Sequence, residues 1–498
     1  RSQPYSRDLL QKYITNAHKD SFEIRQIKFT ICIDEDIAVG FIDLFDFEPL
    51  HHRAGVGLIV RERYKSKGYG GAALHLIYVY AQKYLQLHQL YAFIAKENKI
   101  SIAIISNSTD KNREKLININ KLEKGGLSGK PLENISNNII NRFYKLIGKN
   151  IKIIGITGTN GKTSTKELTN SILGLKFVTH STKGNLNNKI GLPLTILNMN
   201  EDTEVLILEM GTNDIGEIGK LVDIANPDVA TITNIGKGHT LKLKNRETIF
   251  KEKFSIVKNF NSSSCFAFNL DDDYMKKEYL RSNLNKISFS IKADSDVRAE
   301  NLSDDYQTFT LVYKDKKTKI NLKAKGINNI YNSLCASSIA LFFKMNLEDI
   351  KIGIERYQGI SNRFNIIDSE NNNTIINDTY NANPNSMQSA IEMTSQIFSK
   401  KHKIAILGDM LELGDIEQIE HTKIGEILAI NKFDQVFIYG NNYINYKNGI
   451  NEDLEIIEIS DHSEITNFID LKKISNTVIL IKGSRGSKME NILKYLYK

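Results

Sequence analysis

Residues 151–166, IKIIGITGTNGKTSTK, decide how the chain is read. Ile151, Ile153 and Ile154, with Lys152 among them, form the apolar, β-branched run of a buried parallel strand. A glycine-punctuated turn from Gly155 to Gly161 then delivers Lys162, Thr163 and Ser164 to a helix-like stretch that ends at Gly174. Strand, glycine turn and helix in that order make a phosphate-binding loop. Its glycines let backbone N–H groups converge on phosphate oxygens, Lys162 supplies a point charge at the β/γ position, and the Thr163 hydroxyl suits a magnesium ion. The spacing departs from GxxxxGK[ST], because Ile156 stands five residues before Gly161 and the glycines fall at 155 and 158.

With 498 residues, the chain has room for about three domains. No apolar run approaches the roughly 18 residues of a membrane span, and nothing near the start resembles a signal peptide. Arg1 in first place reads as a processed product or a fragment. Cys32, Cys265 and Cys335 lie far apart without metal or disulfide spacing, as expected of buried thiols in a reducing cytoplasm. The net charge of +8 is dispersed and lacks an aromatic-interleaved basic patch, so it favours anionic small molecules over nucleic acid. A cytoplasmic monomer without a membrane span is expected.

Residues 1–102 read as a small α/β unit with strands in FTICIDEDIAVGFIDLFDF, then a strand, a glycine-rich turn and a long helix. The turn Lys65-Ser66-Lys67-Gly68-Tyr69-Gly70-Gly71, at a helix N-terminus, is suited to a pyrophosphate. It resembles the acetyl-CoA turn of the GCN5-related N-acetyltransferases, with Lys65 where Gln or Arg is usual; Asn98, Ser101 and Ile102 match that family's next turn. The resemblance stops before the closing half of such a fold, and a βα turn without a ligand is the alternative. Residues 103–150 change character. Gly125-Gly126-Leu127-Ser128-Gly129 and Asn107-Ser108-Thr109 resemble turns of dihydroorotate dehydrogenase. One or two βα units cannot close its barrel, so the segment reads equally as a linker with one helix.

From Ile151 onward the signals agree. Lys183 to Pro193 (KGNLNNKIGLP) is a polar loop suited to holding substrate through Asn185, Asn187 and Asn188. Glu209 ends an apolar strand, where nucleotide-binding sheets hold magnesium. His239 follows a further strand end and reads either as a second metal ligand or as a satisfied structural histidine. These residues resemble the Mur ligase family over about 151–498. The stretches Asp378 to Met387 (DTYNANPNSM), Gly408 to Gly414 (GDMLELG) and Lys482 to Gly486 (KGSRG) resemble the C-terminal signatures of its D-alanyl-D-alanine-adding branch.

The resemblance implies an ATP- and Mg2+-dependent amide ligase that joins D-alanyl-D-alanine to UDP-N-acetylmuramoyl-tripeptide through an acyl phosphate. It implies phosphate contacts from Gly158, Thr159, Asn160, Gly161, Lys162, Thr163 and Ser164, and a first magnesium on Thr163 and Glu209. A second would be held by His239 and a CO2-modified Lys253; the family's nearby Glu is Ser255 here. Asn329 and Asn332, one helix face apart, are expected at the adenine edge, with capping of the helix as the alternative. Arg363 is expected at the γ-phosphate. Asp378, Tyr380, Asn381 and Asn383 are expected to line a cleft for substrate, with Lys482 and Arg485 meeting the dipeptide carboxylate.

The fold class expected is α/β: a P-loop central domain with a mostly parallel sheet (151–360) and a Rossmann-like C-terminal domain (361–498), preceded by an incomplete acetyltransferase-like fragment. The family's UDP-gripping first domain has no match, which leaves an acetyltransferase on 1–102 and an inactive fusion as competing readings.

Overall fold

The computed structural model describes residues 27–33, 37–48, 53–64, positions within 69–93, 114–118, 151–189, 191–237, 240–450 and 454–497. The chain divides into two compact units, Arg1–Leu146 and Ile147–Lys498.

In the first unit, β1 (Ile27–Ile33), β2 (Ile37–Glu48), β3 (Arg53–Val60), β4 (Gln89–Phe93) and β5 (Glu114–Asn118) form one sheet in chain order. The β3–β4 pairing is parallel and the others are antiparallel. β5 lies in the stretch read from sequence as a separate segment, yet its backbone continues the sheet of the preceding fragment. Lys65 to Gly68, Gly71, Asn98, Ser101, Ile102, Asn107 to Thr109 and the 125–129 turn lie outside the described residues.

The second unit holds two sheets. The first is built from β6 (Lys152–Thr157), β7 (Thr179–Ser181), β8 (Val205–Glu209), β9 (Val229–Ile232), β10 (Cys265–Asn269), β11 (Lys286–Ser290), β12 (Val297–Glu300), β13 (Thr308–Tyr313) and β14 (Lys316–Asn321). Their order is β14-β13-β12-β11-β10-β9-β6-β8-β7. Only the β12–β13 and β13–β14 pairings are antiparallel. β6 sits between β8 and β9 and is buried apart from Lys152. That position explains its unbroken apolar run: a parallel strand covered on both faces has no polar side. The chain proceeds to one side of β6 through β7 and β8 and returns on the other side as β9. Strand order therefore reverses beside β6, where α/β sheets open a crevice at their carboxyl ends.

Helix α1 (Lys162–Leu173) follows β6, α2 (Gly191–Leu197) precedes β8, α3 (Glu217–Ala225) follows it, and α4 (Arg246–Phe254) precedes β10. α5 (Ile327–Phe342) and α6 (Leu347–Arg356) pack with α1 over one face of the sheet, joining Leu168, Ile172, Leu334 and Ile350 in a common core.

The second sheet runs β15 (Asn365–Ser369), β16 (Asn373–Asp378), β20 (Thr477–Lys482), β17 (His402–Gly408), β18 (Gln435–Tyr439), β19 (Glu455–Ile459), with only β15 antiparallel. Helices α7 (Pro384–Ile397) and α8 (Glu417–Ile430) cover it. β16, β20 and β17 are neighbours, so the three C-terminal signatures, which begin at positions 378, 408 and 482 in sequence, leave adjacent strand ends. Between the sheets, Gly359, Asn362 and Phe364 adopt φ of 88°, 61° and 49°. Among the described residues, no helix is long and apolar enough to cross a membrane.

Candidate active site

The phosphate loop takes its shape from two glycines. Gly158 has φ 146° and Gly161, the N-cap of α1, has φ 81°. A Cβ on Gly158 would stand 1.9 Å from Thr233 Oγ1, so side chains are excluded by both conformation and space. Asn234, at the end of β9, receives hydrogen bonds from the loop: Thr159 N–H donates to its carbonyl (3.0 Å) and Asn160 N–H to its Oδ1 (3.1 Å). Thr159 Oγ1 accepts from Gly236 N–H at 2.9 Å. The Lys162 ammonium curls back to the carbonyls of Gly158 (2.8 Å) and Thr159 (3.0 Å).

Four charged groups converge around this loop. Removal from water pushes the Lys162 pKa down; Glu209 opposes that shift and the neighbouring Arg363 adds to it. Glu209 is 3% exposed. Its Oε1 accepts from Asn187 Nδ2 at 2.8 Å, whereas its buried Oε2 has no partner among the described residues. Arg363 stacks its guanidinium 4.1 Å above the Tyr380 ring and donates from Nη2 to Thr163 Oγ1 at 3.1 Å. Its Nε is also buried without a partner among the described residues. Lys253, on α4 and 2% exposed, has its pKa driven well below the usual lysine value by burial, reinforced by Lys162 and opposed by Glu252.

An orphaned buried carboxylate oxygen, a threonine hydroxyl and an orphaned guanidinium N–H around one glycine loop fit a metal-bound polyphosphate. Each of those unpaired groups costs about 1–3 kcal/mol when left empty. Glu209 and Thr163 are the groups suited to hold Mg2+, and Lys162 and Arg363 are the cations placed at the same loop. His239 lies outside the described residues.

At the second sheet, Lys482 is 2% exposed. Its ammonium is committed to Asp378 Oδ2 (2.6 Å) and the Asn381 carbonyl (3.0 Å). Asp378 also accepts from Phe364 N–H at 3.1 Å. Arg485, by contrast, keeps an exposed side chain whose Nη1 reaches Glu490 at 3.2 Å. Asp409 is turned inward to accept from Asn441 N–H (2.8 Å) and Asn442 N–H (3.2 Å).

Residues 156–340 match the model of the Mur ligase middle domain and 362–485 that of the Mur ligase glutamate ligase domain. The chain is 34% identical over 348 residues to the UDP-N-acetylmuramoyl-tripeptide--D-alanyl-D-alanine ligase of Bacillus subtilis, covering 69% of this chain and 76% of that protein. The chain belongs to the Mur ligase family. The Escherichia coli relative of the same name is 28% identical over 353 residues, which is 69% of this chain and 76% of that protein. The crystal structure of MurF from Acinetobacter baumannii superposes with a TM-score of 0.66 at 30% identity, covering 72% of this chain and 79% of that one. Residues 1–108 match the acetyltransferase (GNAT) domain model and 84–169 the dihydroorotate dehydrogenase model. These two matches overlap each other, and the second runs through the phosphate loop.

Within this Mur ligase, the structure brings together Gly158 to Thr163, Glu209, Lys253 and Arg363, and gives other expected site residues different tasks. Ser164 is buried and hydrogen-bonded to Tyr357, whose hydroxyl is pushed up to about 12 by burial. Asn187 steadies Glu209, and Asn188 Oδ1 accepts from Gly191 N–H at 2.9 Å at the start of α2; Asn185 is exposed. Asn332 is buried under the loop, accepting from Thr165 Oγ1 at 3.2 Å, and Asn329 donates to the Lys325 carbonyl at 3.2 Å. Each amide thus has one hydrogen bond inside the protein, Asn332 through its oxygen and Asn329 through its nitrogen. Lys482 is a buried ion-pair partner, which leaves Arg485 as the cation of that signature open to a ligand.

Sequence reasoning missed Asn234, Thr233 and Glu252. Glu252, on α4, accepts from Gly216 N–H (2.6 Å) and Ile218 N–H (2.8 Å), fixing the start of α3 beyond Glu209. A polar TITN strand end was the visible signal for the first two. Glu252 gave none, since it lies in a charged helix that reads as a solvated face.

Proposed function

We propose that the chain is an ATP-dependent ligase that joins D-alanyl-D-alanine to UDP-N-acetylmuramoyl-tripeptide. The observation that carries this reading is the 34% identity over 348 residues to the Bacillus subtilis ligase of that name, and the buried Glu209 Oε2 and Arg363 Nε, without partners among the described residues, support its nucleotide half. A carboxylate and an amine do not condense in water. The muramoyl peptide's carboxylate oxygen attacks the γ-phosphorus, ADP leaves, and an acyl phosphate forms. The dipeptide amine then attacks the acyl carbon, inorganic phosphate departs, and the nitrogen loses a proton. Placement and charge neutralisation supply most of such a transfer. Lys162 and Arg363 balance the charge that spreads over the equatorial oxygens. Thr163 and Glu209 are the groups that would hold magnesium, which would supply further neutralisation of phosphate charge.

Lys253 is suited to carbamylation, R–NH2 + CO2 → R–NH–COO− + H+, because the reacting form is the neutral amine that burial favours. The product is an anion beside Lys162, consistent with a second metal shared with His239. In the C-terminal half, Arg485 is assigned to the dipeptide carboxylate, for which a planar fork is suited. Residues 151–360 are taken as the ATP-binding domain and 361–498 as the dipeptide-side domain.

The test is to incubate the purified chain with ATP, Mg2+, UDP-muramoyl-tripeptide and D-alanyl-D-alanine and to measure dipeptide-dependent phosphate release. Release that Lys162→Ala abolishes supports the reading. No release, with parent and variant alike, sinks it. Acetyl-CoA consumption with an amine acceptor would favour the acetyltransferase alternative for residues 1–102.

A further inference from the structure

The C-terminal half reaches the phosphate loop through amides as well as through Arg363. Asn160, in the loop, and Asn383, 223 positions later, bond reciprocally: Asn383 Nδ2 donates to Asn160 Oδ1 at 2.8 Å and Asn160 Nδ2 donates to Asn383 Oδ1 at 3.3 Å. Asn383 is also the N-cap of α7, in a capping box with Ser386. Two residues on, Asn385 Oδ1 accepts from Lys237 N–H at 2.7 Å, and Lys237 Nζ pairs with Glu420 at 2.8 Å. One helix start therefore grips both loops that shape the site, 158–163 directly and 234–237 through Lys237.

The same Asn160 is held from below. Its N–H goes to Asn234 Oδ1 and its carbonyl accepts from Asn234 Nδ2 at 3.2 Å. The side chain is thus the loop's contact with the C-terminal half, while its backbone keeps the loop on the sheet. Asn383 was expected from sequence to touch substrate; in the structure its amide bonds to the loop and caps its own helix.

We infer that Asn383, acting through Asn160, is a positioning residue that sets the shape of the phosphate loop from the C-terminal half. The inference rests on the ligase reading. A reciprocal amide pair demands both partners at one distance and orientation, so it transmits the position of α7 to the loop that holds the phosphates. Arg363 brings charge to the same loop from the same half, and the amide pair brings registration.

The test uses the full chain with Asn383→Ser, Asn160→Ala and the double substitution. Serine preserves the N-cap but is too short to reach Asn160, so α7 stays intact. Amide hydrogen exchange of the 158–163 segment, with and without ADP, reads loop shape whether or not the chain turns over; phosphate release reads kinetics. Expected are exchange faster by at least about threefold in Asn383→Ser, KM for ATP raised about tenfold with KM for the dipeptide unchanged, and a double variant no worse than the worse single one. Unchanged exchange overturns the inference. So does a raised dipeptide KM with losses that multiply in the double variant, because Asn383 would then be touching substrate directly. A parent chain that releases no phosphate defeats the ligase reading alone, and the exchange result still decides the pairing.

Discussion

Arg363 Nη2 donates to Thr163 Oγ1 at 3.1 Å across 200 positions of sequence, with the guanidinium seated on the Tyr380 ring. The hydroxyl assigned to magnesium and the cation assigned to the γ-phosphate therefore already touch. The charge-neutralising end of the site is therefore built from both halves of residues 151–498.

Arg363→Lys should lower kcat by about a hundredfold, the scale of losing one oriented donor at a developing charge. Lysine keeps the charge but loses both the fork and the stacking on Tyr380. Steady-state phosphate release with saturating substrates measures it, and a loss under threefold would show that charge alone suffices.

Lys253→Met should raise thermal stability while removing activity. A buried amine whose pKa is lowered costs folding free energy wherever the native state must hold it protonated. The sign follows from proton counts. Between the lowered folded value and the ordinary lysine value near 10.5, the unfolded chain binds more protons, so stability rises with pH through that window and the penalty is greatest below it. Melts of metal-free protein at rising pH should therefore show the parent gaining on Lys253→Met.

Gly158→Ala should destabilise the chain by about 2–4 kcal/mol and abolish nucleotide binding, because the methyl group meets Thr233 and φ is left-handed. Adding Thr233→Ala relieves the contact but not the dihedral, so the double variant should recover part of the stability only. Chemical denaturation and ADP calorimetry separate these effects.

Lys482→Met and Arg485→Met should fail differently. The first leaves Asp378 without its buried counter-charge and is expected to cost about 3–5 kcal/mol of stability. The second should leave the melting temperature within a degree or two and raise the dipeptide KM about tenfold, leaving that of ATP unchanged. A dipeptide KM insensitive to Arg485 would remove it from the site.

Much of this site was legible before any coordinates. Gly158, Gly161, Lys162 and Thr163 announce themselves because a phosphate loop makes local demands: φ values that only glycine meets readily, a strand end and a helix start within ten residues. Glu209 was legible for the same reason, being the polar end of a buried strand. Asn187, Asn332, Asn383 and Lys482 were read as ligand contacts because polar residues in signature stretches suggest them. Their partners turned out to be Glu209, Thr165, Asn160 and Asp378, which lie 22, 167, 223 and 104 positions away.

By itself the sequence determined the α/β class, the phosphate loop and the order of the signatures, since apolar runs, glycine dihedrals and helix caps depend on neighbouring residues. Only the tertiary structure decided which polar groups are spent on one another and which remain for a ligand. Strand order places β16, β20 and β17 side by side and α7 against the phosphate loop. A buried amide or ammonium must take whatever partner that placement brings within about 3 Å.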